Sequence, residues 1–165
     1  MLFRLFSRNN PQKEINVLAP LTGSVLPLSL VPDPVFSQDV LGKGVAISPT
    51  DELLTSPLTG RVTHLFPTHH AIAITSDCGL ELLLHIGIDT VKRKGEGFSA
   101  VVSTGDRVTA GDALIRFDRM LLQKAGFSLV TPVILTNPDA ISRLEVTANE
   151  QVTAGKDTLM RILQK

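Results

Sequence analysis

Two histidines, His70 and His85, lie at the ends of the most regular stretch of the sequence. Each adjoins a run of Ala, Ile or Leu residues, and Ser-Asp-Cys-Gly at residues 76–79 separates the runs, which is the composition of a β-hairpin turn. A two-residue loop at Asp77 and Cys78 would place His70 directly opposite His85, with the two Cβ atoms about 5 Å apart. The pattern therefore predicts that the two imidazoles share one site.

The turn also allows a second register. Gly79 at the fourth turn position suits a type I turn with a bulge, which shifts the strand pairing by one residue and moves the histidines to opposite faces. A further bulge near Gly87 would return them to one face. In the first register Ile72, Ile74 and Leu83 share the face of the histidines, so the site would be apolar.

Several kinds of site fit two imidazoles on an apolar sheet. Burial disfavours the charged form, so both rings should be neutral at pH 7. A neutral imidazole can attack phosphorus and carry a phosphoryl group, while its neighbour hydrogen-bonds the transferred dianion. The pair could instead bind Zn²⁺, but zinc takes four ligands, so a partner protein would have to supply a carboxylate. A purely structural pair is also consistent with the spacing.

The composition restricts the class of protein. The 165 residues include 16 basic and 16 acidic side chains, and there is no Trp or Tyr for base stacking. One cysteine cannot form an internal disulfide, and no apolar run approaches the length of a membrane span. We expect a cytoplasmic protein with no nucleic-acid partner.

The chain is expected to consist of a flexible segment at residues 1–14 and one domain at residues 15–165. Residues 1–8 place Leu and Phe on one side of a helical wheel and two Arg on the other. This segment could lie on an anionic membrane at its inner face, or remain a disordered tail, since so short a helix is not stable alone in water.

In residues 15–165, short runs rich in Val, Ile and Leu alternate with Gly, Pro, Asp and Thr. This pattern predicts an all-β fold, an antiparallel β-sandwich or barrel with short helical segments. Pro-Leu-Thr-Gly recurs at residues 20–23 and 57–60, and Val-Thr-Ala-Gly at 108–111 and 152–155, so the fold is expected to contain a duplicated β-motif. We expect each Pro-Leu-Thr-Gly to end in a glycine with positive φ. Residues 31–36 should be an extended loop because of their two prolines, and residues 119–127 a helix capped by Asp118.

Motifs from about Val17 to Ile162 resemble those of the glucose-type enzyme IIA of the bacterial phosphoenolpyruvate:sugar phosphotransferase system. The most specific is Leu-His-Ile-Gly-Ile-Asp-Thr-Val at residues 84–91. The others are Ala-Pro-Leu-Thr-Gly at 19–23, Pro-Asp-Pro-Val-Phe at 32–36, Thr-His-His-Ala at 68–71, Lys-Gly-Glu-Gly-Phe at 94–98 and Thr-Pro-Val at 131–133. The resemblance thus covers nearly the whole chain.

The resemblance implies a phosphotransferase component that works through a phosphohistidine, with no obligatory cofactor. His85 would accept the phosphoryl group from the phosphocarrier HPr and pass it to a cysteine of a sugar-specific IIB domain, while His70 steadies it. Thr68 and Gly87 occupy the positions that orient the accepting imidazole and ligate the phosphate. The remaining implied residues meet the partner: Phe36, Phe66, Ile88 and Val91 as an apolar docking surface, with Asp33 and Asp89 at its rim to meet basic residues of HPr.

Two departures from the family pattern and two rival functions remain. His69 stands where the family commonly has Asn, and Lys92 and Arg93 make the following segment unusually basic. One rival is a zinc hydrolase, which would need a third protein ligand and a general base. The other is a regulatory protein that binds transporters or kinases according to its phosphorylation state, which is compatible with the carrier role.

Overall fold

Alternating burial along the chain produces the strands. In β1 (Glu14–Leu18), Ile15 and Val17 are buried while Asn16 between them is exposed, the period-two pattern of a strand with one face on a core. The computed structural model describes residues 12–165. The membrane contact predicted for residues 1–8 lies outside the described residues, and β1 begins one residue before the predicted domain boundary at residue 15.

Antiparallel strands account for most of the regular structure. After β1, the strands of residues 12–165 are β2 (Gly23–Pro27), β3 (Lys43–Pro49), β4 (Leu53–Thr55), β5 (Gly60–Leu65), β6 (Ala71–Ser76), β7 (Glu81–His85), β8 (Phe98–Ala100), β9 (Arg107–Val108), β10 (Ala113–Phe117), β11 (Thr131–Leu135), β12 (Ile141–Val146), β13 (Gln151–Val152) and β14 (Thr158–Gln164). An eight-stranded sheet has the order β13-β2-β3-β11-β7-β6-β5-β9, and two three-stranded sheets have the orders β1-β14-β12 and β4-β10-β8. The predicted all-β antiparallel class is confirmed.

Short helices connect some of the strands. α1 (Pro34–Ser37) begins after Asp33, whose Oδ1 accepts a hydrogen bond from the Val35 amide at 3.0 Å. The prediction of a wholly extended loop there is wrong, because proline is well suited to the first position of a helix. α2 (Arg119–Lys124) begins where the predicted helix at residues 119–127 begins but ends three residues earlier, and Asp118 caps it as expected. Three 3₁₀ turns occupy Leu28–Leu30, Thr90–Arg93 and Pro138–Ala140. No helix within residues 12–165 is long and apolar enough to span a membrane.

The two copies of the sequence repeat make matching hydrogen bonds. Ala19 donates its amide to the carbonyl of Asp157 at 2.8 Å and accepts from the amide of Gly155 at 2.9 Å. Ser56 likewise donates to the carbonyl of Asp112 at 2.8 Å and accepts from the amide of Gly111 at 2.7 Å. Gly23 and Gly60 do not have the positive φ that we predicted. Glycine is needed there because a Cβ would lie 2.1 Å from a carbonyl oxygen of the neighbouring strand.

Apolar side chains form two clusters on opposite faces of the eight-stranded sheet, as β11 shows. Val133 and Leu135 point into the larger cluster, which we call the main core, while Ile134 between them points the other way. The second cluster, here the outer cluster, consists of Leu28, Val31, Phe36, Ala46, Ile88 and Ile134. Because α1 and the segment after β7 both contribute to it, the outer cluster determines where those segments lie.

Candidate functional site

The hairpin of β6 and β7 takes the second of the two predicted registers. Ala71 pairs with His85 and Thr75 with Glu81, one residue away from the register of a two-residue loop. Gly79 has a φ of 89° and donates its amide to the carbonyl of Ser76 at 3.0 Å, the backbone of a turn with a bulge. The prediction that His70 pairs with His85 across the ladder is therefore wrong.

The two imidazoles nevertheless meet. The ring centroids of His70 and His85 are 4.9 Å apart, with the rings at 80° to each other. β6 begins only at Ala71, and His69 has a φ of 57°, so strand alternation does not govern the direction of His70. The backbone is irregular beyond both strand ends, since His69 has a φ of 57° and Gly87 a φ of 73°.

The register decides which residues surround the rings. Ile72 and Ile74 are fully buried in the main core, on the face away from His85, so their predicted place beside the histidines is wrong. Leu83 lies on the histidine face and packs against the outer cluster, as predicted. Ala71, directly opposite His85, has a small side chain.

A hydrogen bond fixes the tautomer of His85. Its Nδ1 lies 2.8 Å from the carbonyl oxygen of Gly87. A carbonyl oxygen only accepts, so Nδ1 carries the proton and donates it. The unprotonated Nε2 then keeps its lone pair for chemistry.

The other imidazole is held by a hydroxyl. Nδ1 of His70 lies 2.6 Å from Oγ1 of Thr68. The prediction that Thr68 orients the accepting imidazole is wrong, because Thr68 orients His70 while Gly87 orients His85. His70 is only 4% exposed, whereas His85 is half-buried. The more exposed His85 is therefore the ring that a partner can reach.

Burial keeps both rings neutral at physiological pH. It lowers the pKa of His70 from 6.5 to about 4, and the nearby His85 adds to the effect. Burial also lowers the pKa of His85, although the bond to Gly87 and the carboxylates of Asp33 and Asp89 oppose this. Neutral imidazole is the form that acts as a nucleophile.

These shifts predict that acid destabilises the fold. Between pH 6.5 and about 4 the unfolded chain binds a proton at His70 that the folded chain does not, so the free energy of unfolding falls as the pH falls. For His70 the loss should be about 2 kcal/mol between about pH 7.5 and 5. Urea unfolding of the wild type and of His70→Gln measures it: the pH curve should be flatter in the variant, and parallel curves would contradict the prediction.

Aromatic rings extend the site on both sides. Phe36 lies 5.2 Å from His85 and Phe66 lies 5.7 Å from His70, between ring centroids. The exposed His64 packs edge-on against Phe66 at 4.5 Å. The two histidines therefore lie between two phenylalanines.

The predicted docking residues differ in exposure. Val91 is 50% exposed and Phe66 partly exposed, so they can meet a partner. Phe36 and Ile88 are buried, at 4% and 7% exposure, and mainly support the outer cluster. Asp33 and the exposed Asp89 lie close enough to His85 to influence its pKa, as expected for rim residues.

Sequence reasoning assigned no role to four further residues. Val35, Val40 and Leu41 are exposed apolar side chains on α1 or directly after it. Thr90, inside the most specific motif, is fully buried and hydrogen-bonded to the carbonyl of Ile86. Val35 could have been noticed because it adjoins Phe36 in a quoted motif. The sequence alone does not show that Phe36 is buried and Val35 is exposed.

The same residues do not make a complete metal site. Across residues 12–165, no three His, Cys, Asp or Glu side chains are grouped so as to hold a metal ion. His70 and His85 supply two of the four ligands that zinc takes, so a zinc hydrolase would lack its third protein ligand. Zinc held jointly with a partner's carboxylate stays a prediction.

Comparisons with known proteins agree with this geometry. Residues 15–141 match the family described as phosphoenolpyruvate-dependent sugar phosphotransferase system, EIIA 1. The chain is 42% identical to the glucose-specific EIIA component of Bacillus cereus, over the full length of both chains, and 41% identical to that of Staphylococcus aureus strain Mu50, over 98% of each.

A solved structure supports the same assignment. The glucose permease IIA from Mycoplasma capricolum superposes with a TM-score of 0.83 at 36% identity, over 90% of this chain and 96% of that one. The chain therefore belongs to the EIIA 1 family of the phosphoenolpyruvate-dependent sugar phosphotransferase system, whose members take a phosphoryl group from HPr and pass it, through a phosphohistidine, to a sugar-specific IIB domain.

Proposed function

We propose that Nε2 of His85 is the atom that receives the phosphoryl group. The observation that carries the proposal is the bond from Nδ1 of His85 to the carbonyl of Gly87, which leaves a lone pair on Nε2 of a neutral, half-buried ring. The lone pair forms the new N–P bond as the N–P bond of phospho-HPr breaks. Onward transfer runs the same way, as the cysteine sulfur of the IIB domain forms an S–P bond and His85 leaves as neutral imidazole.

His70 steadies the group that is transferred. If the hydroxyl of Thr68 donates to Nδ1 of His70, the proton of that ring lies on Nε2. Since the ring centroids of His70 and His85 are 4.9 Å apart, we infer that this N–H can reach a phosphoryl group on His85. There it donates to a phosphoryl oxygen, and because the ring is already buried and oriented, the transition state is stabilised without reorganisation.

The surface around His85 suits two partners in succession. Its exposed apolar side chains, Val35 and Val91, exclude water from the contact, and the carboxylates of Asp33 and Asp89 attract a basic partner such as HPr. Because His85 is partly exposed at the surface, and not enclosed in a deep pocket, HPr can leave before the IIB domain binds. The relatives are named as glucose-specific components, so glucose is the first sugar to test in a transport assay with this chain.

A regulatory role for the same surface is a second candidate. His85 lies between Phe36 and His70, close to exposed apolar side chains, so its phosphorylation would place about two negative charges beside a docking surface. Transporters or kinases that fit the unphosphorylated surface would then be repelled. In this second candidate function, His70, His85 and a carboxylate of such a partner would together bind a zinc ion.

The chemistry of the phosphate tests the carrier role. After incubation with phosphoenolpyruvate, the first enzyme of the system and HPr, we expect one added phosphate that is acid-labile and alkali-stable, bonded to Nε2 of His85. Intact-mass spectrometry measures the addition, and phosphorus–nitrogen couplings in NMR identify the ring atom. A phosphate on Nδ1, or on another residue, would contradict the assignment.

A further inference from the structure

We propose that Thr90 is a positioning residue for His85, and that it acts through the carbonyl of Gly87. This inference rests on the proposed role of Nε2 of His85. It concerns a side chain that touches neither the phosphoryl group nor a partner, since Thr90 is fully buried.

The hydroxyl of Thr90 ties the ends of a short loop together. Its Oγ1 donates to the carbonyl oxygen of Ile86 at 2.5 Å. The amide of the same residue, Ile86, donates to the carbonyl of His70 at 2.8 Å. The amide of Ile86 is thus bonded to the backbone of His70, and its carbonyl is bonded to the side chain of Thr90. The loop between Ile86 and Thr90 contains Gly87.

The methyl group of Thr90 supports the backbone of Gly87. A Cβ added to Gly87 would lie 2.6 Å from Cγ2 of Thr90 and 2.7 Å from the carbonyl oxygen of Ser128. Gly87 therefore lies in close contact with both, at a φ of 73° that glycine tolerates. The amide of Ile88 donates to the same Ser128 carbonyl at 3.0 Å, which holds the other end of the Gly87 residue.

The direction of the Gly87 carbonyl matters because it selects the tautomer of His85. While that carbonyl accepts from Nδ1, the lone pair lies on Nε2. A ring released from this bond could carry its proton on either nitrogen. In the tautomer with the proton on Nε2, the exposed nitrogen has no lone pair with which to attack phosphorus.

Three variants separate positioning from stability. Thr90→Val removes the hydroxyl and keeps the shape, while Thr90→Ser keeps the hydroxyl. Thr55→Val is the matched control, because Thr55 in β4 is also buried and donates its hydroxyl to a carbonyl, that of Pro20, at 3.1 Å. For each protein we would record the His85 tautomer by ¹⁵N NMR, urea unfolding, and the rate of phosphorylation by phospho-HPr.

We expect Thr90→Val to convert His85 from the single Nδ1–H tautomer to a mixture and to lower its phosphorylation rate by about tenfold. Thr90→Ser keeps the hydroxyl bond to Ile86 but loses the methyl contact with Gly87, so it should shift the tautomer less than Thr90→Val does. Thr55→Val should be destabilised with an unchanged tautomer and rate. An unchanged tautomer in Thr90→Val, or an equal loss of rate in Thr55→Val, would overturn the proposal. The spectra are recorded without HPr, so they test this inference even if the wild type proved not to accept phosphate on His85.

Discussion

Replacing His85 with alanine should abolish phosphoryl uptake. The variant has no nucleophile at this site, because the Nδ1 of the buried His70 is engaged by Thr68 and its Nε2 carries the proton in the proposed arrangement. We expect a phosphorylation rate by phospho-HPr below about 10⁻⁴ of the wild-type rate. Transfer of labelled phosphate from phosphoenolpyruvate through the first enzyme and HPr measures it.

His64→Ala is the control for that experiment. His64 is an exposed histidine of β5 that packs on Phe66, and two rings, those of Phe66 and His70, lie between it and His85. Its loss should leave phosphoryl uptake at the wild-type rate. Acid-labile phosphate on the His85→Ala variant, or loss of uptake in the His64→Ala variant, would show that the wrong imidazole has been identified.

Replacing His70 with alanine should slow both phosphoryl transfers much more than it affects folding. The variant keeps the nucleophile but loses the N–H that stabilises the transition state, which is worth about 10²–10³ in rate for a preorganised donor. Onward transfer to the IIB domain should show the defect most clearly. Rapid-quench measurement of transfer from phospho-HPr and to the IIB domain, beside urea unfolding, gives both quantities.

His70→Gln distinguishes hydrogen bonding from packing in this experiment. The glutamine amide retains a donor and fills more of the space than alanine does. If the N–H is what matters, His70→Gln should transfer faster than His70→Ala even where the two variants are equally stable. Transfer by His70→Ala at the wild-type rate would exclude a role for this imidazole in the reaction.

The hairpin shows how far sequence alone could predict the site. Residue composition identified the two strands and the turn, and the alternative with a bulge at Gly79 proved to be the register. The choice between the two registers depends on the backbone of a single turn residue, whereas composition allows both. The consequence was large, because a shift of one residue moved Ile72 and Ile74 to the opposite face.

The meeting of the two rings was predicted correctly for the wrong reason. Strand alternation does not reach His70, because His69 adopts the left-handed conformation just before β6. The family's usual Asn at this position was a signal for it, since Asn tolerates positive φ better than most residues. A departure from the family pattern thus marked the place where the strand pattern fails.

The resemblance supplied roles that neither composition nor spacing could. It placed His85 and Gly87 correctly together but assigned Thr68 to the wrong imidazole, because a motif does not say which ring a hydroxyl touches. Thr90 was inside the quoted motif and received no role. Its contact with Gly87 exists only once the chain turns back after β7, and no periodic pattern reports such a contact.

The separation of the main core from the outer cluster has a consequence for evolution. Residues such as Ile72 and Leu84 pack in the main core on one side of the sheet, while Phe36 and Ile88 pack in the outer cluster on the other, on the side of the proposed docking surface. Substitutions that retune recognition of a new permease can therefore accumulate on one surface without eroding the stability supplied by the opposite one.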